Sequence, residues 1–189
     1  LHLCDQHLSH MQADKIMNKH NLLLEVLLAA KYEGKSLVEK YNEYKQPNND
    51  SDTDICTILA RSFADIGDIV RGRDLYLGNP QEKTKREQLE ENLKKIFQKI
   101  HDDVTKTNGK NWQTLKKRYK GDAPYYYKLR EDWWALNRDQ VWKAITCGHP
   151  GGTYFRKTCS KGESHVKDKC TCINGDPPTF LDYVPQFLR

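Results

Sequence analysis

Residues 55–74 read ICTILARSFADIGDIVRGRD, and this stretch decides the fold class. Its apolar side chains recur at spacings of three and four residues, which places them on one face of an α-helix. These side chains are Ile55, Leu59, Phe63, Ile66 and Val70. The pattern predicts an amphipathic helix that begins at Ser51 or Asp52 and has Asp54 in its first turn.

Three further segments have helical periodicity. A Leu- and Ala-rich segment from about residue 13 to 44 predicts a long first helix that Gly34 interrupts or bends, because glycine is a poor helix former. The third helix has the clearest start, with Asn79 as its cap, Pro80 in the first position and Glu82 in the first turn. Its apolar stripe is Leu89, Leu93, Ile96, Phe97 and Ile100. The fourth helix covers about residues 126–145, with the apolar residues Leu129, Trp133, Leu136, Val141, Trp142 and Ile145.

The character of the chain changes after Cys147. Residues 148–152 read GHPGG, which cannot continue a helix. The sequence therefore predicts a mostly α fold, a helical bundle with a cysteine-rich, loop-like C-terminal segment from residue 148.

Length and charge set the broad class of protein. The chain has 189 residues, 37% of them hydrophobic, which is enough for one domain with a core. Its net charge of +5 favours phosphates, sulfated sugars, sialic acid or anionic lipid. The sequence contains no run of about 18 apolar residues, so it predicts no membrane span. The start lacks an initiator Met and a signal-peptide layout, so we expect a piece of a longer protein.

The six cysteines indicate disulfides in an oxidising compartment. They are Cys4, Cys56, Cys147, Cys159, Cys170 and Cys172. Zinc sites need paired cysteines, and only Cys170 and Cys172 lie close, with too short a gap for good chelation. Three histidines near Cys4 are candidate metal ligands, but we interpret them as solvated side chains near a terminus. They are His2, His7 and His10. We predict no metal site.

The sequence contains no pattern that predicts an enzyme. No phosphate-binding loop, HExxH, GxSxG or EF-hand pattern occurs. Asp65 and Asp68 lie three residues apart on one helix face, but pairing with Arg61, Arg71 or Arg73 explains them better than acid–base chemistry. We therefore predict a protein that is not an enzyme and has no cofactor.

Two aromatic clusters stand out, residues 125–127 (YYY) and 133–134 (WW). Adjacent helical positions point about 100° apart, so Trp133 and Trp134 do not share one face. Packing in the core is the favoured role for both, and contact with a neighbouring element or a partner is the alternative.

Cations concentrate between residues 81 and 130. One flank of the third helix carries an acid-free strip of Lys85, Gln88, Asn92, Lys95 and Lys99. Cations interleaved with amides suit the sulfate or carboxylate groups of a sugar chain. A predicted loop adds Lys116, Lys117 and Arg118, which extend the strip if the loop folds toward it. The alternatives are a solvated helix face or a nucleic-acid-binding surface, and cysteine usage argues against the second.

Four stretches together resemble a known family. They are residues 65–74 (DIGDIVRGRD), 129–134 (LREDWW), 141–147 (VWKAITC) and 182–189 (DYVPQFLR), with weaker similarity at 1–4 and 22–34. In this order they resemble the Duffy-binding-like domain, α class, of the erythrocyte membrane protein 1 family of the malaria parasite Plasmodium falciparum.

The resemblance implies a host-cell adhesion domain on the surface of infected red cells, within a larger membrane-anchored protein. The implied partners are a red-cell receptor, a heparan sulfate-like glycan or blood-group sugar, as in rosetting, and host antibodies. The alternative is a scaffold piece of a variant surface antigen whose receptor site lies elsewhere.

The resemblance also implies a subdomain layout. Residues 1–12 would end a first subdomain, 13–180 would form the helical second one with its cysteine-rich loops from 148, and 181–189 would open a truncated third. Cys56 begins one helix and Cys147 follows another, so the two are expected to form a disulfide, an expectation that the resemblance raises. Trp142 is expected to be buried against the second and third helices.

Overall fold

The computed structural model describes residues 8, 11–16, 19–45, 54–75, 79–106, 111–149, 151–152 and 154–189. Five α-helices account for most of that part of the chain: α1 (Lys19–Lys45), α2 (Ile55–Arg71), α3 (Pro80–Lys106), α4 (Trp112–Arg118) and α5 (Tyr127–Ile145). Single 3-10 turns follow at Ser160–Gly162, Asp168–Cys170, Leu181–Tyr183 and Gln186–Leu188. Pairing of β type in the described residues is limited to two isolated bridges. The predicted mostly α fold is confirmed.

The helices α1, α2 and α5 pack against one another, and α3 packs on α4 and α5. Gly34 lies within α1 and does not interrupt it. A Cβ atom at Gly34 would overlap the backbone carbonyl of Ile145, so the missing side chain lets α1 approach the end of α5. The predicted interruption is wrong, because close helix packing outweighs the low helix propensity of glycine.

The start of α2 differs slightly from the prediction. Asp54 precedes the helix as its cap, and its carboxylate accepts a hydrogen bond from the backbone N–H of Cys56 at 3.0 Å. Ser51 and Asp52 lie outside the described residues. The five residues of the apolar stripe are buried as predicted.

The start of α3 matches the sequence pattern. Asn79 Oδ1 accepts a hydrogen bond from the backbone N–H of Glu82 at 2.9 Å, and Pro80 is the first helical residue. The predicted stripe is also confirmed, since these residues are buried: Leu89, Leu93, Ile96, Phe97 and Ile100.

The three tryptophans of α5 tie the helices together. Trp133 and Trp134 are both buried, because each meets a different helix. Trp133 packs edge-on against Phe97 of α3, and Trp134 packs against Phe63 of α2 with ring centroids 5.2 Å apart. Core packing is thus the role of both residues.

Trp142 is buried as predicted, although its surroundings differ in part. Its ring packs edge-on against Phe63 of α2, and its indole N–H donates to the carbonyl of Cys170 at 3.2 Å. Trp133 contacts α3 through Phe97. Leu136, which the pattern placed with the apolar residues, is 81% exposed because it lies on the outer face of α5.

A buried ionic cluster joins the C-terminal segment to α2 and α5. The Asp182 carboxylate accepts hydrogen bonds from the Trp134 indole at 2.9 Å and from the Arg138 guanidinium at 2.8 and 2.9 Å. Arg71 donates to the Asp68 carboxylate at 2.9 Å and also reaches the Asp182 carbonyl. The predicted pairing with a nearby arginine is confirmed for Asp68. It is wrong for Asp65, which pairs with Arg189 at 3.0 Å, so the 65–74 and 182–189 stretches are parts of one internal network.

The disulfides correct one prediction. Cys56 bonds to Cys170 and Cys159 bonds to Cys172, while Cys147 is exposed and free. The expected Cys56–Cys147 bond is therefore wrong. The C-terminal segment folds back over α5, and the hydrogen bond from Trp142 to the Cys170 carbonyl holds that cysteine where Cys147 was expected.

Candidate functional site

The acid-free strip lies on an exposed flank of α3, opposite the solvent-facing carboxylates of the other flank. Lys85, Gln88 and Lys95 are exposed. Within the described part of the chain, neither Lys85 nor Lys95 has an ion-pair partner. Ten residues separate them, which is about 15 Å along the helix axis. These two ammonium groups are available to an external anion.

The other two members of the strip have structural contacts. The Asn92 side-chain amide donates to the Met11 carbonyl at 3.1 Å. The Lys99 ammonium donates to the carbonyls of Ala13 at 2.5 Å and Ile16 at 3.4 Å. Both side chains therefore hold residues 11–16 against α3, which reduces their availability for a ligand.

The sequence pattern gave no sign that residues 11–16 adjoin the strip. These residues form a turn rather than the predicted start of the first helix, which begins at Lys19. Met11 and Ile16 are buried, and Asp14 and Lys15 are exposed. The carboxylate of Asp14 and the ammonium group of Lys15 therefore lie near the Lys99 end of the strip.

The second predicted group of cations lies on a helix rather than a loop. Lys116, Lys117 and Arg118 are exposed residues of the short helix α4. The Lys116 ammonium lies 5.7 Å from the ring centroid of Trp112. Arg118 donates two hydrogen bonds to the Asp132 carboxylate, at 2.5 and 2.6 Å, which lower the pKa of that carboxyl. Arg118 is thereby partly neutralised.

The two groups of cations do not form one surface. The residue that follows α4, Tyr119, has its ring 6.4 Å from that of His101. His101 is two residues beyond Lys99, which is about 200° around the helix. The end of α4 therefore lies across α3 from the strip, and the expected extension by Lys116, Lys117 and Arg118 is not what the structure has.

Acids accompany the cations on the remaining flank of α3. Lys83 lies 3.9 Å from the Glu87 carboxylate, and Lys94 lies 2.6 Å from that of Glu91, which lowers the pKa of Glu91. Glu90 is bound by the Arg130 guanidinium at 2.7 and 2.8 Å. The charges of this flank are thus compensated by local ion pairs.

No group of three or more His, Cys, Asp or Glu side chains within the described ranges is arranged to hold a metal ion. Cys4 and its neighbouring histidines, His2, His7 and His10, lie outside those ranges. The described surface has unpaired ammonium groups on α3, polar side chains and aromatic rings. These groups suit the binding of a ligand.

A disulfide-linked helical bundle with a buried ionic cluster and basic outer faces is the class of protein that these observations define. The family model of the Duffy binding domain matches residues 1–189, and the chain belongs to that family.

Solved structures place it more closely. The NTS-DBL1α1 domain of P. falciparum erythrocyte membrane protein 1 (PfEMP1) from the varO strain is 44% identical, with a TM-score of 0.75 over 99% of this chain and 40% of that chain. The NTS-DBL1α and CIDRγ double domain from the same strain is 43% identical, with a TM-score of 0.75 over 99% of this chain and 25% of that one. The resemblance to PfEMP1 Duffy-binding-like domains is confirmed.

A more distant relative was solved with a partner. A PfEMP1 DBLβ domain bound to ICAM-1 is 31% identical, with a TM-score of 0.64 over 99% of this chain and 40% of that chain. The chain spans less than half the length of these solved chains. A comparison with curated proteins found no match. None of the described helices has the length and apolar character needed to cross a bilayer.

Proposed function

We propose that this chain is a host-cell adhesion module that binds a sulfated glycan of the red-cell surface through the α3 strip. DBL domains of PfEMP1 are adhesion domains, and the DBLβ relative was solved bound to ICAM-1. By membership of this family, the chain would be displayed on infected red cells as part of a larger anchored protein. Rosetting is the process in which such binding would act.

One observation carries the choice of surface. Five of the seven cations of α3 already have partners: Lys83, Arg86, Lys94 and Lys106 pair with carboxylates, and Lys99 binds carbonyls. Lys85 and Lys95 alone of that helix have no such partner among the described residues. Successive sulfate groups of a bound glycan could therefore pair with these two ammonium groups, and neither contact would break an internal ion pair.

The affinity of such a surface comes from several weak contacts. An exposed ion pair contributes about 0.2–1 kcal/mol, so a chain of several sugars must meet both lysines together with Gln88. Exposed charges are screened beyond about 10 Å at 0.1 M salt. Binding is consequently expected to weaken steeply as NaCl is raised.

The test is elution from immobilised heparin by a NaCl gradient. A Lys85→Ala, Lys95→Ala variant should elute at clearly lower salt than the unmodified chain. The matched control is Lys31→Ala, Lys40→Ala, which removes the same charge from exposed positions of α1. Its elution should change little, because those lysines lie on a different helix.

A third variant, Lys116→Ala with Lys117→Ala, tests the α4 surface separately. Equal losses in all three variants would contradict a defined strip and leave only net charge. Loss confined to the α4 variant would move the site to that helix. No retention of the unmodified chain would favour the alternative, a scaffold piece whose receptor site lies in another part of the protein.

A further inference from the structure

An open groove lies on the other flank of α3 from the strip. It has a volume of about 600 Å³ and runs between α3, the end of α2 and the turn that precedes α5. The buried side chains of Ile69, Leu89 and Leu93 form its base. Tyr125 and Tyr127 line one side. The groove is separate from the surface proposed above for the glycan.

The two tyrosines form an ordered aromatic platform. Tyr125 and Tyr127 are 46% and 48% exposed, and their rings stack with centroids 5.4 Å apart and planes inclined by 10°. Tyr126, between them, points inward and packs against the His101 ring at 5.2 Å. The buried middle residue therefore turns both neighbours toward solvent.

The turn that carries this platform is also fixed from its other end. The Asp122 carboxylate accepts hydrogen bonds from the backbone N–H groups of Lys128 at 3.0 Å and Leu129 at 2.9 Å, which satisfies the first turn of α5. Aromatic rings that are held in place before binding lose little conformational entropy when a ligand covers them. Exposed tyrosines of this kind are typical of protein interfaces.

The charges around the groove are unequal in exposure. Lys94 and Arg86 are only 23% and 16% exposed, the first because its ammonium lies over a tyrosine ring. Glu87 and Glu91 are 66% and 62% exposed. Lys83 is the exposed cation here, 3.9 Å from Glu87. On a chain of net charge +5, this groove consequently presents more carboxylate than ammonium to solvent.

We propose that the groove binds an extended, basic segment of a partner protein, with an Arg or Lys side chain seated between Tyr127 and Glu87. A guanidinium group would stack on the tyrosine ring and pair with the carboxylate. From Lys83 to Lys94 the groove follows α3 for about 16 Å, the length of about five extended residues. A polyanion would instead meet the exposed carboxylates, so this site and the glycan strip select opposite charges.

The experiment titrates the isotope-labelled chain with blocked pentapeptides Ser-Gly-Arg-Gly-Ser and Ser-Gly-Glu-Gly-Ser and follows backbone amide NMR shifts. The Arg peptide should shift the amides of residues 83–94 and 125–127, and the Glu peptide should not. Tyr127→Ala should weaken the Arg peptide roughly threefold, as expected for an exposed cation–π contact. Tyr127→Phe, which keeps the ring, should retain binding and excludes a loss due to misfolding.

Charge reversal gives the sharper outcome. Glu87→Lys should reverse the preference from the Arg to the Glu peptide, whereas Glu163→Lys, the same change at an exposed position of the C-terminal segment, should not. Equal binding of both peptides, or an unchanged preference in Glu87→Lys, would overturn the proposal. Shifts at residues 125–127 with maltopentaose but not with the Arg peptide would also overturn it and make the groove a sugar site.

Discussion

At the scale of single residues, Asp182 lies at the centre of a buried network of hydrogen bonds. Its carboxylate is fully buried and binds one indole and one guanidinium, which belong to neighbouring turns of α5. Burial raises the cost of leaving either charge alone, because a buried ion without its partner loses the compensation for its desolvation. The carboxylate therefore acts as a junction between the C-terminal segment and α5.

Replacing Asp182 by Asn should lower the free energy of unfolding by about 3–5 kcal/mol, since it removes the buried counter-charge of Arg138 and leaves only the exposed Asp139 carboxylate at 3.7 Å. Urea denaturation followed by circular dichroism measures the change. The matched control is Asp132→Asn, whose partner Arg118 is 57% exposed, so its cost should stay below about 1 kcal/mol. Similar costs for the two variants would show that burial of the Asp182 cluster contributes nothing specific.

His149 makes the free energy of unfolding depend on pH. The residue is buried beside the Cys56–Cys170 bond, and burial lowers the pKa of its imidazole. The unfolded chain takes up the proton near pH 6.5, whereas the folded chain does so only at lower pH. The stability contributed by the neutral imidazole is therefore complete above pH 7 and declines as the pH falls below about 6.5.

The prediction is a smaller loss of stability between pH 7.5 and pH 5.5 in His149→Gln than in the unmodified chain. Urea midpoints at the two pH values measure it, and comparison with the unmodified chain cancels the contribution of the carboxylates. Equal losses in the two proteins would mean that the imidazole is solvated in the folded state.

At the scale of elements, the contact between α1 and α5 depends on one missing side chain. Gly34→Ala would remove a poor helix former, which by itself favours the helix by about 1 kcal/mol. The new methyl group would meet the Ile145 backbone, which cannot rotate away. Forced overpacking costs about 1–3 kcal/mol, so the net effect should be destabilising.

Thermal denaturation of Gly34→Ala should therefore give a lower midpoint than that of the unmodified chain. Gly148→Ala is the control, because nothing lies within 4 Å of a Cβ atom there, and its midpoint should be nearly unchanged. A higher midpoint for Gly34→Ala would mean that α1 and α5 separate easily and that helix propensity dominates.

The sequence predicted those elements whose own residues specify them. The start of α3 followed from a capping residue, a proline and an apolar stripe, all local signals. α4 was missed because a helix of seven residues is too short for an apolar repeat to be seen. The interruption predicted at Gly34 was wrong. The glycine is needed there because α5 packs closely against it, and α5 lies more than a hundred residues away in the sequence.

The candidate site was predictable only in part, because contacts between segments that are distant in sequence leave no local pattern. Periodicity alone placed Lys85 and Lys95 on one exposed flank. That Lys99 and Asn92 would bind residues 11–16, and that α4 would pack across the helix from the strip, depends on how distant segments dock. The platform of Tyr125 and Tyr127 was visible as an aromatic run, but its outward orientation depends on the burial of Tyr126.

At the scale of the whole molecule, the two disulfides differ in the length of chain that they enclose. Cys56 and Cys170 are 114 positions apart, whereas Cys159 and Cys172 are 13 apart. In the chain-entropy model a loop of about 100 residues is stabilised by about 4.7 kcal/mol and one of about 15 residues by about 3 kcal/mol. The long loop encloses α2 to α5.

Cys56→Ala with Cys170→Ala should therefore lower the unfolding midpoint more than Cys159→Ala with Cys172→Ala. Peptide mapping without reduction should find both bonds, with Cys147 alkylated beforehand. A peptide that links Cys147 to Cys56 would contradict the pairing, and a larger effect of the short loop would contradict the entropic ranking.

The long covalent loop also determines how the domain carries tension. When the chain is pulled from its two ends, force that reaches Cys56 passes through sulfur to Cys170 and bypasses the intervening residues. At about 3.4 Å per extended residue, roughly 380 Å of contour length stays folded away from the load. The helices that carry both proposed binding surfaces therefore lie outside the loaded path for as long as the sulfur–sulfur bond is intact.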